Sequence, residues 1–165
     1  MVVLGLLSGC NPKTTDYNEL GLEHLSQKQF EDALTDFTKA IELDPGNAQI
    51  FSNRGLTYTH LGKADMAIND YIKAISLDPG LAVAYYGRAM NYYNDGYFDL
   101  ALADFNKAIE LDPQYSRAYL MRAEVYVSMQ QPKQAIPDFE KVMELSTDPL
   151  IREYAQNKLD TLKGK

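Results

Sequence analysis

Apolar and polar positions recur along this chain with a period of 34 residues. The plainest marker is Leu-Asp-Pro, whose proline falls at Pro45, Pro79 and Pro113, and a fourth copy closes two residues late at Pro149. A period of this length is typical of stacked helical hairpins, in which one unit cannot bury its apolar face without its neighbours. The pattern therefore predicts a helical repeat array.

Large aromatic and small alanine side chains occupy fixed places in each period and predict two helices. In the first helix an aromatic residue is followed seven residues later by a second large side chain on the same face. In the second helix, small alanines allow close approach while a ring fills the space between the helices. The first-helix positions are Tyr17, Phe51, Tyr85 and Tyr119, then His24, Tyr58, Tyr92 and Tyr126. The second-helix positions are Ala33, Ala67, Ala101 and Ala135, then Phe37, Tyr71, Phe105 and Phe139, then Ala40, Ala74, Ala108 and Val142.

The turns and the terminal copies depart from this pattern in places. Gly62 and Gly96 are predicted at the turn inside the hairpin, where a positive φ costs glycine little, and Lys28 stands there in the first copy. In the last copy Pro132 suits a helix start. Pro137 is expected to remove a backbone hydrogen bond and to bend its helix.

A further helix is predicted after Pro149. Ile151, Ala155, Leu159 and Leu162 form one apolar stripe at helical spacing. We expect this segment to cap the end of the fourth repeat, which brings the number of predicted helices to nine.

The order of residue types in each period resembles the tetratricopeptide repeat over residues 14–149. That order is aromatic, glycine or alanine, tyrosine, alanine, aromatic, alanine and proline. The resemblance implies a non-catalytic scaffold or adaptor that binds another protein. It also implies an all-α fold, a right-handed α-solenoid of helix-turn-helix repeats. The implied units are four repeats at 14–47, 48–81, 82–115 and 116–149, and a capping helix with a tail at 150–165.

The same resemblance implies that the first helices line a concave groove. On each first helix, three positions at i, i+4 and i+7 share one face. Most of these residues are apolar or aromatic, which suits burial of an extended or helical segment of a partner. The implied groove residues are Asn18, Leu22, Leu25, Ser52, Leu56, Thr59, Tyr86, Met90, Tyr93, Leu120, Glu124 and Val127.

Two alternatives remain open for this face: part of it packs between neighbouring first helices, or a second copy of the chain covers it in a structural homodimer. Some tetratricopeptide co-chaperones hold an acidic C-terminal tail with lysine and asparagine in this groove. The matching positions here include Leu22, Leu56 and Met90, so we do not expect an acidic-tail clamp.

Arginine and aspartate also recur with the repeat. Each arginine lies 16 residues before the aspartate of its own repeat and 18 after that of the preceding one. We expect inter-repeat pairs, because no arginine is then left alone and its planar fork suits a carboxylate in a partly dry interface. The alternative is an arginine row that grips an acidic ligand. The expected pairs are Asp36 with Arg54, Asp70 with Arg88 and Asp104 with Arg122, and Asp138 closes the series.

Charge and motif content argue against several functions. A net charge of -7 disfavours nucleic-acid binding. His24 stands where other repeats have tyrosine and is expected to be a satisfied interior residue, and His60 is expected near a helix C-terminus. Neither histidine has ligand-type neighbours, and no phosphate loop or nucleophile elbow occurs. We expect no metal, no cofactor and no enzymatic activity.

The N-terminal segment carries the only cysteine. Leu7-Ser8-Gly9-Cys10 follows a short apolar run and resembles a bacterial lipobox, in which the cysteine is acylated and anchors the protein. We interpret residues 1–13 as a truncated lipoprotein signal and tether, with the true start upstream, because no basic residue precedes the apolar run. Asn11, next to the lipidated cysteine, then resembles a signal for sorting to the outer membrane, and the protein would face the periplasm. The alternative is a cytosolic adaptor of the same fold.

Overall fold

The computed structural model describes residues 13–164, and over this range the chain folds into nine α-helices without a strand. The helices are α1 (Thr14–Ser26), α2 (Phe30–Leu43), α3 (Ala48–His60), α4 (Ala64–Leu77), α5 (Ala82–Asn94), α6 (Phe98–Leu111), α7 (Ser116–Ser128), α8 (Pro132–Leu145) and α9 (Pro149–Leu162).

These helices form a chain of hairpins that stack in sequence order. The main packing partners are α1 with α2, α3 with α4, α5 with α6 and α7 with α8, and each hairpin also contacts the next. The first helices α1, α3, α5 and α7 additionally contact one another in succession. The predicted all-α solenoid with nine helices is confirmed for the described residues.

The core consists of the predicted alanines and rings. Phe37, Phe105 and Phe139 are fully buried and Tyr71 nearly so, and the alanines around them have no exposed surface. A side chain at Gly87 would place its Cβ 2.3 Å from the Tyr71 ring, so glycine is needed for α5 to approach α4 closely. Small and large residues therefore alternate across each helix contact, as close packing demands.

All four hairpin turns contain one residue with positive φ. Gly62 and Gly96 have φ of 69° and 80°, as expected, while Lys28 and Gln130 have 60° and 58° at the equivalent places. An L side chain is disfavoured in this left-handed region by about 1 kcal/mol. The two terminal hairpins thus keep the turn geometry of the central ones at a conformational cost.

Helix α8 runs through Pro137 without a break. Pro132 occupies its first turn, where a missing N–H matters little. Pro137 is exposed, and the next two residues, Asp138 and Phe139, remain buried. The proline therefore leaves the inward-facing residues of α8 in the register of the other second helices.

Helix α9 covers the end of the fourth repeat. Ala155 and Leu159 are buried against the cluster around Phe139, with Ile151 and Leu162 packed at its edge. The Arg152 guanidinium donates to the backbone carbonyls of Met143 and Ser146 and ties α9 to the end of α8. The predicted packing of this helix is confirmed.

Candidate partner-binding groove

The arginine–aspartate pairs form within each hairpin, so the predicted inter-repeat pairing is wrong. Arg54 Nε and Nη2 donate to the two carboxylate oxygens of Asp70 at 2.7 and 2.8 Å. Arg54 lies eight residues before the turn glycine Gly62 and Asp70 lies eight after it, so antiparallel helices bring the two to the same height. The same geometry pairs Arg88 with Asp104, and Arg122 with Asp138.

Two of the arginines also reach the preceding repeat. Arg54 Nη1 donates to Thr38 Oγ1 at 3.3 Å, and Arg122 Nη1 donates to Asn106 Oδ1 at 2.6 Å. The equivalent residue beside Arg88 is Ile72, which has no side-chain acceptor. An inter-repeat link therefore exists, but it runs to a neutral side chain of the preceding second helix.

Asp36 of the first repeat has a different partner. Leu20 stands at the arginine position, and His24 Nδ1 lies 2.7 Å from Asp36 Oδ2 instead. His24 was expected to be a satisfied interior residue; it does have a hydrogen-bond partner, although 31% of its side chain is exposed. His60, the last residue of α3, stacks on Phe30 with ring centroids 5.0 Å apart.

We call the pairs Arg54–Asp70, Arg88–Asp104 and Arg122–Asp138 the arginine ladder, and their arginines make several structural contacts. Hydrogen bonding to Asp70, Asp104 and Asp138 raises the pKa of Arg54, Arg88 and Arg122, respectively, against the opposing effect of burial. Each guanidinium also lies over neighbouring rings, 5.7 Å from Phe51 for Arg54. These contacts favour the structural interpretation over an arginine row that binds an acidic ligand.

The predicted groove residues lie on four neighbouring first helices but differ in exposure. Leu22 and Leu56 are 42% and 40% exposed. Tyr86, Met90 and Tyr93 are half-buried at the edge of the α5–α6 core. Ser52 is buried, and Leu25, Leu120 and Val127 pack against the hairpin cores. The open apolar surface is therefore concentrated on α1, α3 and α5.

Polar side chains close the seams between successive first helices. Asn53 Nδ2 donates to Asn18 Oδ1 at 3.1 Å between α3 and α1. Asn91 Nδ2 donates to Thr59 Oγ1 at 2.9 Å between α5 and α3. The Tyr93 hydroxyl lies 3.3 Å from Ser128 Oγ between α5 and α7. Part of the predicted groove set therefore holds neighbouring helices together, as one of the alternatives anticipated.

Helix α9 places two side chains against the groove residue Glu124, and the predicted groove did not include them. The Tyr154 hydroxyl and Lys158 Nζ donate to the Glu124 carboxylate at 2.9 and 3.0 Å. Tyr154 lies 34 residues after Leu120 and Lys158 lies 34 after Glu124, so both continue the repeat. The sequence shows this register, although the apolar stripe of the segment predicts only a cap. Glu124, which is only 15% exposed, is consequently an ion-paired residue.

Three tyrosines beside the groove are held in the protonated state. Burial raises the pKa of Tyr71 to about 12, with a hydrogen bond to Thr59 opposing the shift in part. Burial also raises the pKa of Tyr86 and Tyr115, whose rings are 5.0 Å apart. These hydroxyls are therefore uncharged at neutral pH and add no charge to the groove.

Other features of the described residues offer no competing site. The cavities are shallow and lie at hairpin turns or on the outer surface of α2; one of about 340 Å³ is lined by Tyr97, Phe98, Leu100 and Met129. Within residues 13–164 no cluster of potential metal ligands occurs. No helix in that range has the length and apolar character of a membrane span. The lipobox with Cys10 and most of the predicted tether lie outside the described residues.

Comparisons with known proteins agree with this architecture. Among the solved structures with a similar fold are those of three proteins. MamA is 26% identical, with a TM-score of 0.73 over 92% of this chain and 86% of MamA. The first TPR of Spaghetti (RPAP3), bound to an HSP90 peptide, is 24% identical, with a TM-score of 0.69 over 72% of this chain and 94% of that domain. YrrB, a TPR protein with an unusual peptide-binding site, is 22% identical, with a TM-score of 0.72 over 87% of this chain and 74% of YrrB.

Curated proteins gave no significant match. Family models described as tetratricopeptide repeat match residues 16–47, 48–81, 82–115 and 105–136. They span residues 16–136, well over half of the chain, and the repeat geometry of the nine described helices agrees with them. The chain therefore belongs to the tetratricopeptide repeat family and has the fold of a protein–protein interaction scaffold.

Proposed function

We propose that this protein is a non-catalytic adaptor that binds a segment of a partner protein in the groove formed by α1, α3, α5 and α7. The observation that carries the proposal is the pair of leucines, Leu22 and Leu56, which are about two-fifths exposed next to the half-buried Tyr86, Met90 and Tyr93. Apolar side chains left open beside amphipathic rings are a common basis for protein recognition.

Peptide binding by structural neighbours agrees with this proposal but does not carry it. The RPAP3 domain holds an HSP90 peptide and YrrB has a peptide-binding site, yet their identities of 24% and 22% support the fold alone. The proposal therefore rests on the exposed surface of this chain.

We further propose that Cys10 is the lipid attachment site and that the solenoid faces the periplasm from the outer membrane. The support is the sequence Leu7-Ser8-Gly9-Cys10, in which the only cysteine of the chain follows a short apolar run and small residues. Stable anchoring by acyl chains requires more than one chain, which a lipoprotein cysteine supplies. The alternative localisation is the cytosol.

In-cell photo-crosslinking tests the adaptor proposal. A crosslinkable residue replaces Leu56 in the full-length gene product, and the adducts are identified by peptide mass spectrometry. The matched control is Ile72, which is 46% exposed but lies on α4 outside the groove. A reproducible partner adduct from position 56 alone supports the adaptor. Adducts only to a second copy of this chain contradict it and support the structural homodimer.

Localisation is tested separately. Mass spectrometry of the mature protein should find acyl chains on Cys10, and Cys10→Ser should release the protein from the membrane fraction. An unmodified Cys10 in a soluble fraction would instead support the cytosolic alternative, and the groove proposal would stand unchanged.

A further inference from the structure

The edge of the solenoid that carries the hairpin turns has three exposed apolar side chains outside the groove. Met66, Tyr97 and Leu100 are 51%, 59% and 51% exposed, and of the large apolar side chains in residues 13–164 only Leu150 is more exposed. The exposed leucines of the groove are less open than these. Packing inside the hairpins therefore does not account for the three side chains.

These side chains border two shallow cavities that lie side by side. One cavity, of about 450 Å³, lies between the second and third turns and is bordered by Met66 and Asp95. The other, of about 340 Å³, lies between the third and fourth turns and is bordered by Tyr97, Leu100 and Met129. Because Asp95 and Tyr97 belong to the same turn, the two cavities form one continuous surface. We call the surface formed by these five residues the turn-edge patch.

The patch is particular to the second and third repeats. Met66 and Leu100 occupy the same place in the repeat, where the first repeat has Asp32 and the fourth has Gln134. Tyr97 likewise stands where the other repeats have glutamine or lysine. The repeat fold therefore accepts polar side chains at these places and does not require apolar ones.

Three exposed aspartates surround the patch, and one of them is poorly placed for its helix. Asp65 and Asp99 lie in the first turns of α4 and α6, where the helix dipole favours an anion. Asp95 is the C-cap residue of α5, where the dipole disfavours one, and the equivalent C-caps of α1, α3 and α7 are uncharged. Lys63 also borders the patch, so its rim keeps a net negative charge. Helix stability therefore does not explain Asp95.

The charge of the rim discriminates among candidate occupants. It would repel anionic lipid headgroups and nucleic-acid phosphates. A second copy placed symmetrically would bring two acidic rims together. Three basic side chains at the C-terminal end, Arg152, Lys158 and Lys163, already bond to groups within their own chain, which disfavours a head-to-tail contact. A partner protein that presents apolar side chains beside basic ones is complementary to both features of the patch.

We infer that the turn-edge patch is a second docking surface, separate from the groove, for a segment of a partner protein in which lysine or arginine flanks apolar side chains. Met66, Tyr97 and Leu100 would contact the apolar side chains of the segment, and Asp95 would pair with a basic one. The inference does not depend on the proposed function of the groove, because no predicted groove residue belongs to the patch.

Selection of short random peptides displayed on phage tests the chemistry of the occupant. The target is the full chain with Leu56→Glu, which excludes peptides that need the apolar groove. Depletion uses the same variant with Leu100→Ser added, and Gln134→Ser in place of Leu100→Ser is the control at the equivalent place of the fourth repeat. We expect enriched peptides that combine apolar residues with lysine or arginine. Leu100→Ser should deplete them, and Gln134→Ser should not.

Fluorescence anisotropy with one enriched peptide then measures the affinity of the wild-type chain and its variants. Leu100→Ser should weaken binding about tenfold, as expected for loss of an apolar anchor, and Leu56→Ser should leave it unchanged. Asp95→Lys should also weaken binding about tenfold and reduce its dependence on salt. Glu153→Lys makes the same charge change at an exposed position of α9 and should not alter the affinity.

Thermal unfolding separates a binding role of Asp95 from a structural one. Asp95→Lys replaces an anion by a cation at the C-terminus of α5, so it should not lower the melting temperature. Loss of affinity without loss of stability is the result expected of a contact residue. Circular dichroism confirms that each of the other variants remains folded.

Four results would overturn the inference. Three of them are enrichment of acidic or uncharged peptides, no enrichment beyond the depletion step, and equal affinity of the wild type and Asp95→Lys. The fourth is a dimer in sedimentation equilibrium that Leu100→Ser dissociates, which would assign the patch to a second copy of this chain. None of these results bears on the groove, which is tested by crosslinking at position 56, and a failure of that test would leave the turn-edge patch unaffected.

Discussion

The first repeat and the three later repeats hold the second-helix aspartate in different ways. In the later repeats an arginine binds both carboxylate oxygens, and Arg54 and Arg122 also reach the preceding hairpin. In the first repeat His24 provides a single contact to Asp36. The arginine ladder therefore joins the two helices of a hairpin and, at two junctions, one hairpin to the next, whereas the histidine serves its own hairpin only.

The outer face of α1 differs in the same sense. Asp16, Glu19 and Glu23 are exposed, although the equivalent residues of later first helices are mostly buried against the preceding repeat. For α3 these equivalents are Ile50, Asn53 and Thr57, all at most 8% exposed. Charged residues on α1 thus stand where later first helices carry the apolar and neutral surface that packs between repeats.

Replacement of the ladder arginine gives the largest expected effect. Arg88→Met should lower the free energy of unfolding by about 3 kcal/mol, because Asp104, which is only 6% exposed, loses both hydrogen bonds. Leu20→Met changes the same position of the first repeat and should have little effect, since no carboxylate is paired there. Denaturant unfolding measures both.

The double variant Arg88→Met/Asp104→Leu provides the control for this prediction. Removal of both charges should restore most of the lost stability, because a buried apolar pair replaces a buried ion pair at little cost. Equal stability of Arg88→Met and wild type would show that the ladder is not structural. A loss of peptide binding without a loss of stability would favour the acidic-ligand alternative.

The next effect concerns the stability of the protein at high pH and Tyr71, which occupies in the second repeat the position of Phe37 in the first. The pKa of Tyr71 is raised to about 12 in the folded protein, above its ordinary value near 10. Its contribution is therefore fully present below about pH 10 and is lost as pH rises through 12, about 3 kcal/mol in all. Tyr71→Phe should flatten this dependence in urea unfolding measured from pH 8 to 12.

A weaker slope should remain in Tyr71→Phe, because burial also raises the pKa of Tyr86. The substitution itself is mild, since Phe37, Phe105 and Phe139 occupy this place in the other repeats. An unchanged loss of stability between pH 10 and 12 in the variant would rule out Tyr71 as its source.

Gly21 in the first hairpin and Gly87 at a central junction both lie close to an aromatic ring, so substitutions there allow the two regions to be compared. An added Cβ would lie 2.6 Å from the Phe37 ring at Gly21 and 2.3 Å from the Tyr71 ring at Gly87. Gly87→Ala should cost about 2 kcal/mol of global stability, because it forces apart α4 and α5 of adjacent repeats. Gly21→Ala should instead loosen α1 and α2 alone, which native-state hydrogen exchange would show as opening confined to 14–43.

Gly46→Ala is the matched control, because its Cβ would meet only the Asp44 carboxylate at 3.6 Å. It should leave both global stability and local exchange unchanged. If Gly21→Ala destabilised the whole chain as much as Gly87→Ala does, the first hairpin would be as firmly coupled as the central ones.

The sequence predicted the repeat, the helices and the core, because these follow from spacing alone. It did not predict the ladder pairing, since the intervals of 16 and 18 residues both fit a 34-residue period and only the height of each residue relative to the turn decides between them. Nor did it predict that Ser52, at a groove position, is only 5% exposed. Lys158 was in register with Glu124, so the longer groove was predictable once α9 is treated as a further first helix.

The smallest effect concerns the hairpin turns. Lys28 adopts a φ of 60° where the second and third repeats use Gly62 and Gly96. Lys28→Gly should therefore stabilise the first hairpin by about 1 kcal/mol, and Gly62→Ala should destabilise the second by a similar amount. Hydrogen exchange in α1 and α2 measures the first change, and thermal unfolding measures the second. If the first hairpin opens locally before the rest unfolds, Lys28→Gly will slow its exchange without moving the main thermal transition. A shift of the main transition instead would mean that all four hairpins unfold together, and the difference between the first repeat and the others would then be one of chemistry alone.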